Sequence, residues 1–225
     1  RAELRGIRGV RIGVLDEALR EGAGGEAEHG QVADRLVDLV DTNTELFHDS
    51  SDNCYATFTH KEHRECWKIE SSGFKNWLSY MYFLETHGAP SETALKAAFG
   101  TLLGQAKYEG AEKPVFRRVA KDGEALWIDL CDEEWKAIKV IPGSWDVVED
   151  PPVMFVRSPT MTPLPIPSEN GDLDPLWSLI NIPEEERILL LCWVLECFRV
   201  ETPHVVLELV GEQGSAKSKT QDILR

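Results

Sequence analysis

The 225-residue sequence predicts an α+β accessory domain, helices plus a small antiparallel sheet, followed by the start of an α/β domain. Three observations carry that expectation. Helical apolar spacing dominates up to about residue 110, and short alternating runs broken by Asp-Gly and Pro-Gly pairs fill 114–157. A connector, "SPTMTPLPIPSENGD", comes next; five of the twelve prolines lie between 151 and 165, which places a boundary near 158–172. The sequence then closes on "HVVLELVGEQGSAKSKTQDILR": a β-branched run, a glycine-rich turn and a helix start, in that order. The expected organisation is a helical linker over 1–29, the accessory domain over 30–157, the connector over 158–171, and an N-terminal fragment of an α/β P-loop NTPase domain over 172–225.

Each element has a local reason. Ile7, Val10, Val14, Leu15 and Leu19 space out one or two helices before the Gly- and Glu-rich break "EGAGGEAEHG". In "QVADRLVDLVD", Val32, Leu36, Leu39 and Val40 share one helical face. "ELFHD", "CYATFTH" and "ECWKIE" read as strands. Ser71 or Ser72 caps a helix that stops at Gly88, and Ser91 caps a second that stops at Gly110. "PVFRRVA" and "ALWIDL" form a hairpin in which Asp122-Gly123 supplies the positive-φ turn; "WKAIKVI", the Pro142-Gly143 turn, "WDVV" and "VMFVR" continue the meander. "EEERILLLCWVLECFRV" carries its acids in the first turn and an almost wholly apolar middle, the pattern of a buried helix. "HVVLELV" has the form of a buried parallel strand.

Composition bounds the partners. With 42% apolar residues and seven tryptophans the chain can bury a core. A formal net charge of −15 weighs against a broad electrostatic footprint on DNA or RNA. Five cysteines, an odd number without framework spacing, suggest reduced thiols and a cytoplasmic location. No apolar run reaches the 18 or so residues of a membrane span, so no membrane partner is expected. The start has neither Met nor a signal-peptide core, and it reads, like the abrupt end, as an internal cut from a longer protein.

The motif that carries chemistry is "GEQGSAKS". It nearly fits G-x-x-x-x-G-K-[ST], with Ala216 where the last glycine belongs. In such a loop successive backbone N–H groups converge on phosphate oxygens, and the following helix adds its positive dipole end. Gly211, Glu212, Gln213, Gly214, Ser215, Ala216, Lys217, Ser218 and Lys219 are then the nucleotide-binding residues. Lys217 is the catalytic candidate, reaching the β- and γ-phosphates, and the Ser218 hydroxyl is the Mg²⁺ ligand; ATP and Mg²⁺ are the expected cofactors. A Cβ at position 216 costs roughly 1–2 kcal/mol if φ is positive there and little if it is negative. The competing reading is a Gly/Ser-rich strand-to-helix turn with a surface lysine.

Other constellations are weaker. Cys54, His60, His63 and Cys66 lack the paired short spacings of a zinc site and read better as core cysteines and surface histidines. Asp129, Asp132, Glu133 and Glu134 follow a strand directly, where an acidic turn needs no metal. No G-x-S-x-G occurs. Trp67, Trp77, Trp127, Trp135 and Trp145 read as core more than as base-stacking platforms; Phe116, Arg117, Arg118 and Lys121, an aromatic with three cations, are the exception to test for nucleic acid.

Several runs together carry a resemblance: "HRECWKIESSGFKNWLSYMYF", "PSETALKAAFGTLLGQAKYEG", "PVFRRVAKDGEALWIDLCDEEWKAIKVIPGSWDVVEDPPVMFVR", "PLP" and "GEQGSAKS". They resemble bacterial and phage mobile-element ATP-binding proteins, the helicase portion of primase–helicase replication proteins related to superfamily three, over most of residues 30–225. "RGIRGVRIGVLDEAL" resembles the helical linker preceding that region. The resemblance implies that Gly211, Gly214, Lys217 and Ser218 bind ATP–Mg²⁺. It implies that the parent protein is an ATP-driven DNA helicase or replication ATPase, ring-forming as a homo-oligomer on DNA. The second acidic motif, the sensor and any arginine finger would lie beyond Arg225, so nucleotide binding without useful hydrolysis is expected of this fragment, and its status as an enzyme stays open. The rival is a non-catalytic accessory module that binds DNA or a partner.

Overall fold

The computed structural model describes residues 29–200 and 203–224. The helix expected in 1–20 and the glycine-rich break up to residue 28 lie outside the described residues, while His29 and Gly30, the last two residues of that break, are helical. What is described mixes helices with three small sheets, and no sheet among the described residues closes into a barrel. By compactness the chain falls into two units: the residues through Val115 with Met154–Arg157, and Phe116–Val153 with the residues from Ser158 onward. Residues 116–153 therefore group with the C-terminal segment, although the sequence places them in the accessory domain.

The first unit stacks three helices on one face of a sheet. Helix α1 covers 29–43. Strands β1 (Thr44–His48), β2 (Cys54–His60) and β3 (His63–Lys68) pair antiparallel, then come helices α2 (Ser72–Thr86) and α3 (Glu92–Tyr108), and strand β4 (Ala111–Glu112) returns parallel to β1. Strand alternation sorts the side chains. Cys54, Ala56 and Phe58 pack with Leu36 and Val40 of α1, Phe74 and Leu78 of α2 and Leu102 of α3. Phe47, Tyr55 and Cys66 form a second cluster with Val115, Met154 and Val156. Phe58 stacks on Trp77 with ring centroids 4.1 Å apart and planes 16° apart.

The caps follow from sequence. Ser71 Oγ accepts from Phe74 N, and Ser91 Oγ accepts from Ala94 N, each closing an orphan donor of its helix. At the end of α2 the left-handed cap is His87, with φ 55°, one residue before the expected Gly88. Its N–H still reaches Phe83 O, so the hydrogen bond is kept at the cost of a Cβ in the left-handed region.

In the second unit β6 (Val119–Asp122), β7 (Ala125–Asp129), β8 (Ala137–Ile141) and β9 (Ser144–Val148) form the meander in that order. Asp122 pairs with Ala125, so the first turn is Gly123-Glu124, and Gly123 supplies the positive φ of 58°. Pro142 and Gly143 span the β8–β9 turn, Gly143 at φ 85°, where the second turn position demands glycine. "VMFVR" does not extend this sheet as expected: β10 (Met154–Phe155) pairs instead with β5 (Val115–Phe116).

Helices α4 (Asp174–Leu179), α5 (Arg187–Glu196) and α6 (Lys217–Leu224) complete the chain, with a 3₁₀ turn at Glu184–Glu186. Two expectations are corrected here. Helix α5 buries Leu190 but leaves Ile188 63% and Leu195 68% exposed, so it is not a buried helix. "HVVLELV" forms no strand; its described residues have no ladder partner and Val206 is 92% exposed. A parallel strand owes its form to neighbours and covering layers, and none of the described strands runs beside 203–210. A hydrogen bond ties the segment to α5: Trp193 Nε1 donates to Val205 O at 2.9 Å.

The β1–β2 turn shows how polar groups close this fold. Asp49 Oδ1 accepts from Ser51 N and Asn53 N at 2.9 Å each, and Oδ2 accepts from the Tyr55 hydroxyl at 3.0 Å. Partial burial pushes the Asp49 carboxyl up, but the bonds from Asn53, Tyr55 and Ser51 outweigh it and hold the group below its ordinary value. A depressed folded-state value means that the stabilisation is present above the unfolded value near 4 and is lost as pH falls through the folded one. Asp49→Asn should cost about 1–2 kcal/mol at pH 7, and its unfolding midpoint in urea should fall less than the wild-type midpoint between pH 5 and pH 2.

Candidate functional site

The glycine-rich motif folds as a tight turn that delivers its lysine to the first position of α6. Ser215 N donates to Glu212 O at 3.3 Å, and Thr220 N donates to Ala216 O at 2.9 Å as the first bond of the helix. Two residues take left-handed backbone: Gly214 with φ 87° and Ala216 with φ 62°. The positive φ thus falls on the residue that stands where the motif has glycine. Its methyl group is tolerated because Ala216 is exposed, so no second clash adds to the backbone strain.

Gly211 sits under a different constraint. A Cβ there would lie 2.7 Å from Ser215 Oγ and 4.0 Å from Lys217 Nζ, filling the hollow of the turn. Into that hollow Lys217 folds back. Its Nζ donates to the carbonyls of Gly211 and Glu212, each at 2.7 Å, and to Ser215 Oγ at 3.2 Å. An ammonium carries three donors, and these three acceptors use them. Ser218, Lys219, Glu212, Gln213 and Gly214 are exposed around the turn, so all nine candidate residues from Gly211 to Lys219 are contiguous in one loop and first helical turn. Ser218, at the second residue of α6, has its side chain open to solvent.

Sequence reading missed two contributors. Asn181 Nδ2 donates to Ser215 O at 3.3 Å, tying the segment before α5 to the loop from 34 residues upstream. Thr220, buried to 2% exposure, seats α6. Neither carries a local signal; only the fold brings Asn181 to the loop. Beside the turn lies a cleft of about 550 Å³, walled by residues from 181–190 and 207–210 and floored by Ser215, Lys217 and Thr220.

The other constellations resolve into structural roles. Cys54 and Cys66 sit in different clusters on opposite faces of the sheet, and burial pushes the Cys66 thiol up to about 12. Among the described residues no group of three or more His, Cys, Asp or Glu side chains is placed to hold a metal ion. Asp129 Oδ1 accepts from Cys131 N and Asp132 Oδ1 from Lys136 N, so the acidic turn is closed by its own backbone. Arg118 donates to Asp129 O and Thr162 O at 3.0 and 2.9 Å, pinning the connector to the sheet instead of facing a ligand. Trp127 is 4% exposed and Trp77 lies against the helix-side core, whereas Trp145 at 38% is the more open ring.

No helix among the described residues is long and apolar enough to cross a membrane. No protein-family model, curated protein or solved structure matches the chain.

The left-handed Ala216 makes a direct test. Relief of roughly 1–2 kcal/mol of backbone strain, less about 0.4–1 kcal/mol for the freer unfolded chain, leaves Ala216→Gly about 0.5–1 kcal/mol more stable. Thermal unfolding should show a Tm rise of roughly 1–4 °C, and Ala216→Val, with a branched side chain in the same region, should shift it the other way.

Proposed function

We propose that residues Gly211–Lys219 bind the phosphates of a nucleoside triphosphate, ATP, together with Mg²⁺. The observation that carries this reading is the turn itself: positive φ at Gly214 and Ala216, a hollow at Gly211 that a Cβ would fill, and the Lys217 ammonium held over that hollow by two carbonyls. The residues fit the ligand chemically. The ammonium exchanges carbonyl oxygens for phosphate oxygens, and backbone N–H groups of the turn and of the first turn of α6 supply neutral donors. The Ser218 hydroxyl is the group that would hold the cation, which supplies charge neutralisation on the phosphate chain when bound.

The wider reading rests on the resemblance in the sequence. The chain is part of a mobile-element DNA replication ATPase or helicase that acts in the cytoplasm on DNA as a homo-oligomer. In this chain the role of the loop is nucleotide binding; hydrolysis calls in addition for a second carboxylate and charge-stabilising groups.

Titration of the whole chain with a fluorescent ATP analogue and Mg²⁺ tests the proposal. Saturable binding that Lys217→Ala weakens at least tenfold, with the far-ultraviolet circular dichroism unchanged, is the expected result. Equal binding by both proteins, or none by the wild type, removes the nucleotide assignment.

A further inference from the structure

A phosphate loop alone does not distinguish a nucleotide from an inorganic polyphosphate. The cleft beside it does. Its volume, about 550 Å³, falls within the range of small-molecule sites, and it opens directly from Ser215 and Lys217. Ile182, Pro183, Leu190 and Leu209 all line it, and together they offer apolar surface suited to a flat ring. Charges of both signs line it. The Lys217 ammonium stands at the loop end, while the carboxylates of Glu186 and Glu208 belong to the lining from the 3₁₀ turn and from 203–210. A second run of phosphates is repelled by those carboxylates, which instead accept hydrogen bonds from sugar hydroxyls or an exocyclic amine. The bond from Asn181 Nδ2 to Ser215 O couples this wall to the loop, so ring surface and phosphate cradle are held in one register.

We infer that this cleft is a nucleoside subsite, with Ile182 and Pro183 as the surface against which the base lies and Asn181 as a positioning residue, so that the site selects nucleoside polyphosphates over inorganic ones. The inference rests on the phosphate-loop reading above. It adds a specificity that residues 211–219 do not themselves contain, and it assigns that specificity to a segment some thirty residues upstream of the motif.

Isothermal titration of the whole chain with ATP and with inorganic tripolyphosphate, each with Mg²⁺, separates the two layers. The wild type should bind ATP at least tenfold tighter than tripolyphosphate. Ile182→Ala should lose about tenfold of the ATP affinity, as for removal of apolar contact from a base pocket, and leave the tripolyphosphate affinity unchanged; that unchanged value also reports an intact loop. Lys217→Ala should weaken both ligands. Equal wild-type affinities for the two ligands, or an Ile182→Ala loss shared equally between them, overturns the subsite while leaving the loop. Failure of the wild type to bind either ligand overturns the phosphate-loop reading and this one with it.

Discussion

The contact between the Lys217 ammonium and the carbonyls of Gly211 and Glu212 is the constraint on which the candidate site depends. It closes the turn from its C-terminal end back to its start. Two main-chain oxygens that would otherwise face solvent acquire a charged donor, and such bonds are about twice as strong as neutral ones. The closure also fixes where α6 begins, because the same residue is the first of the helix. An anion that draws the ammonium toward itself competes with those carbonyls, so the turn must offer backbone N–H groups in compensation. On the proposed nucleotide reading, the arrangement seen and a ligand-bearing one would be two partnerings of a single cation.

The first unit solves its polar problem by different means. Its sheet buries both faces, one against three helices and one against a smaller cluster, and its turns satisfy themselves through short side chains. Asp49 serves four donors of Ser51, Asn53 and Tyr55, and Glu65, almost wholly buried, bridges His63 Nε2 and Trp67 Nε1. Other carboxylates of this unit pair with cations distant in sequence, Glu45 with Lys113, Asp52 with Lys107 and Glu85 with Arg35. Tyr80, Phe83 and Leu84 stand open on α2 at helical spacing.

Local signals made most of this legible. Strand alternation gave β1 to β3 within a residue or two, serine caps gave the starts of α2 and α3, and Gly123 and Gly143 gave two of the three turns of the meander. Where the reading failed, a tertiary partner decided the outcome. "VMFVR" looks like another meander strand, yet its ladder partner is Val115–Phe116. "HVVLELV" and α5 carry the apolar content of buried elements, and apolar content cannot report whether covering layers are present. At the candidate site, the turn and the helix start after it were visible from spacing, while the Asn181 contact was invisible because no periodicity links an asparagine before a helix to a serine carbonyl 34 residues on.

The exposed apolar surface and the departure at position 216 bear on each other. A turn that follows a strand fixed in a sheet inherits the strand's rigidity, and a strained residue within it is held by its surroundings. Here 203–210 has no ladder partner, and the restraint on the turn comes instead from three side-chain groups: the Lys217 ammonium, Ser215 Oγ and the Asn181 amide. A strain of roughly 1–2 kcal/mol at Ala216 is comparable with the net worth of one or two such bonds. The left-handed geometry at Ala216 therefore depends on the lysine and asparagine contacts together. Loss of either would relax the backbone toward negative φ before it unfolded α6, since the helix has its own first bond from Thr220 N to Ala216 O and a buried threonine to seat it.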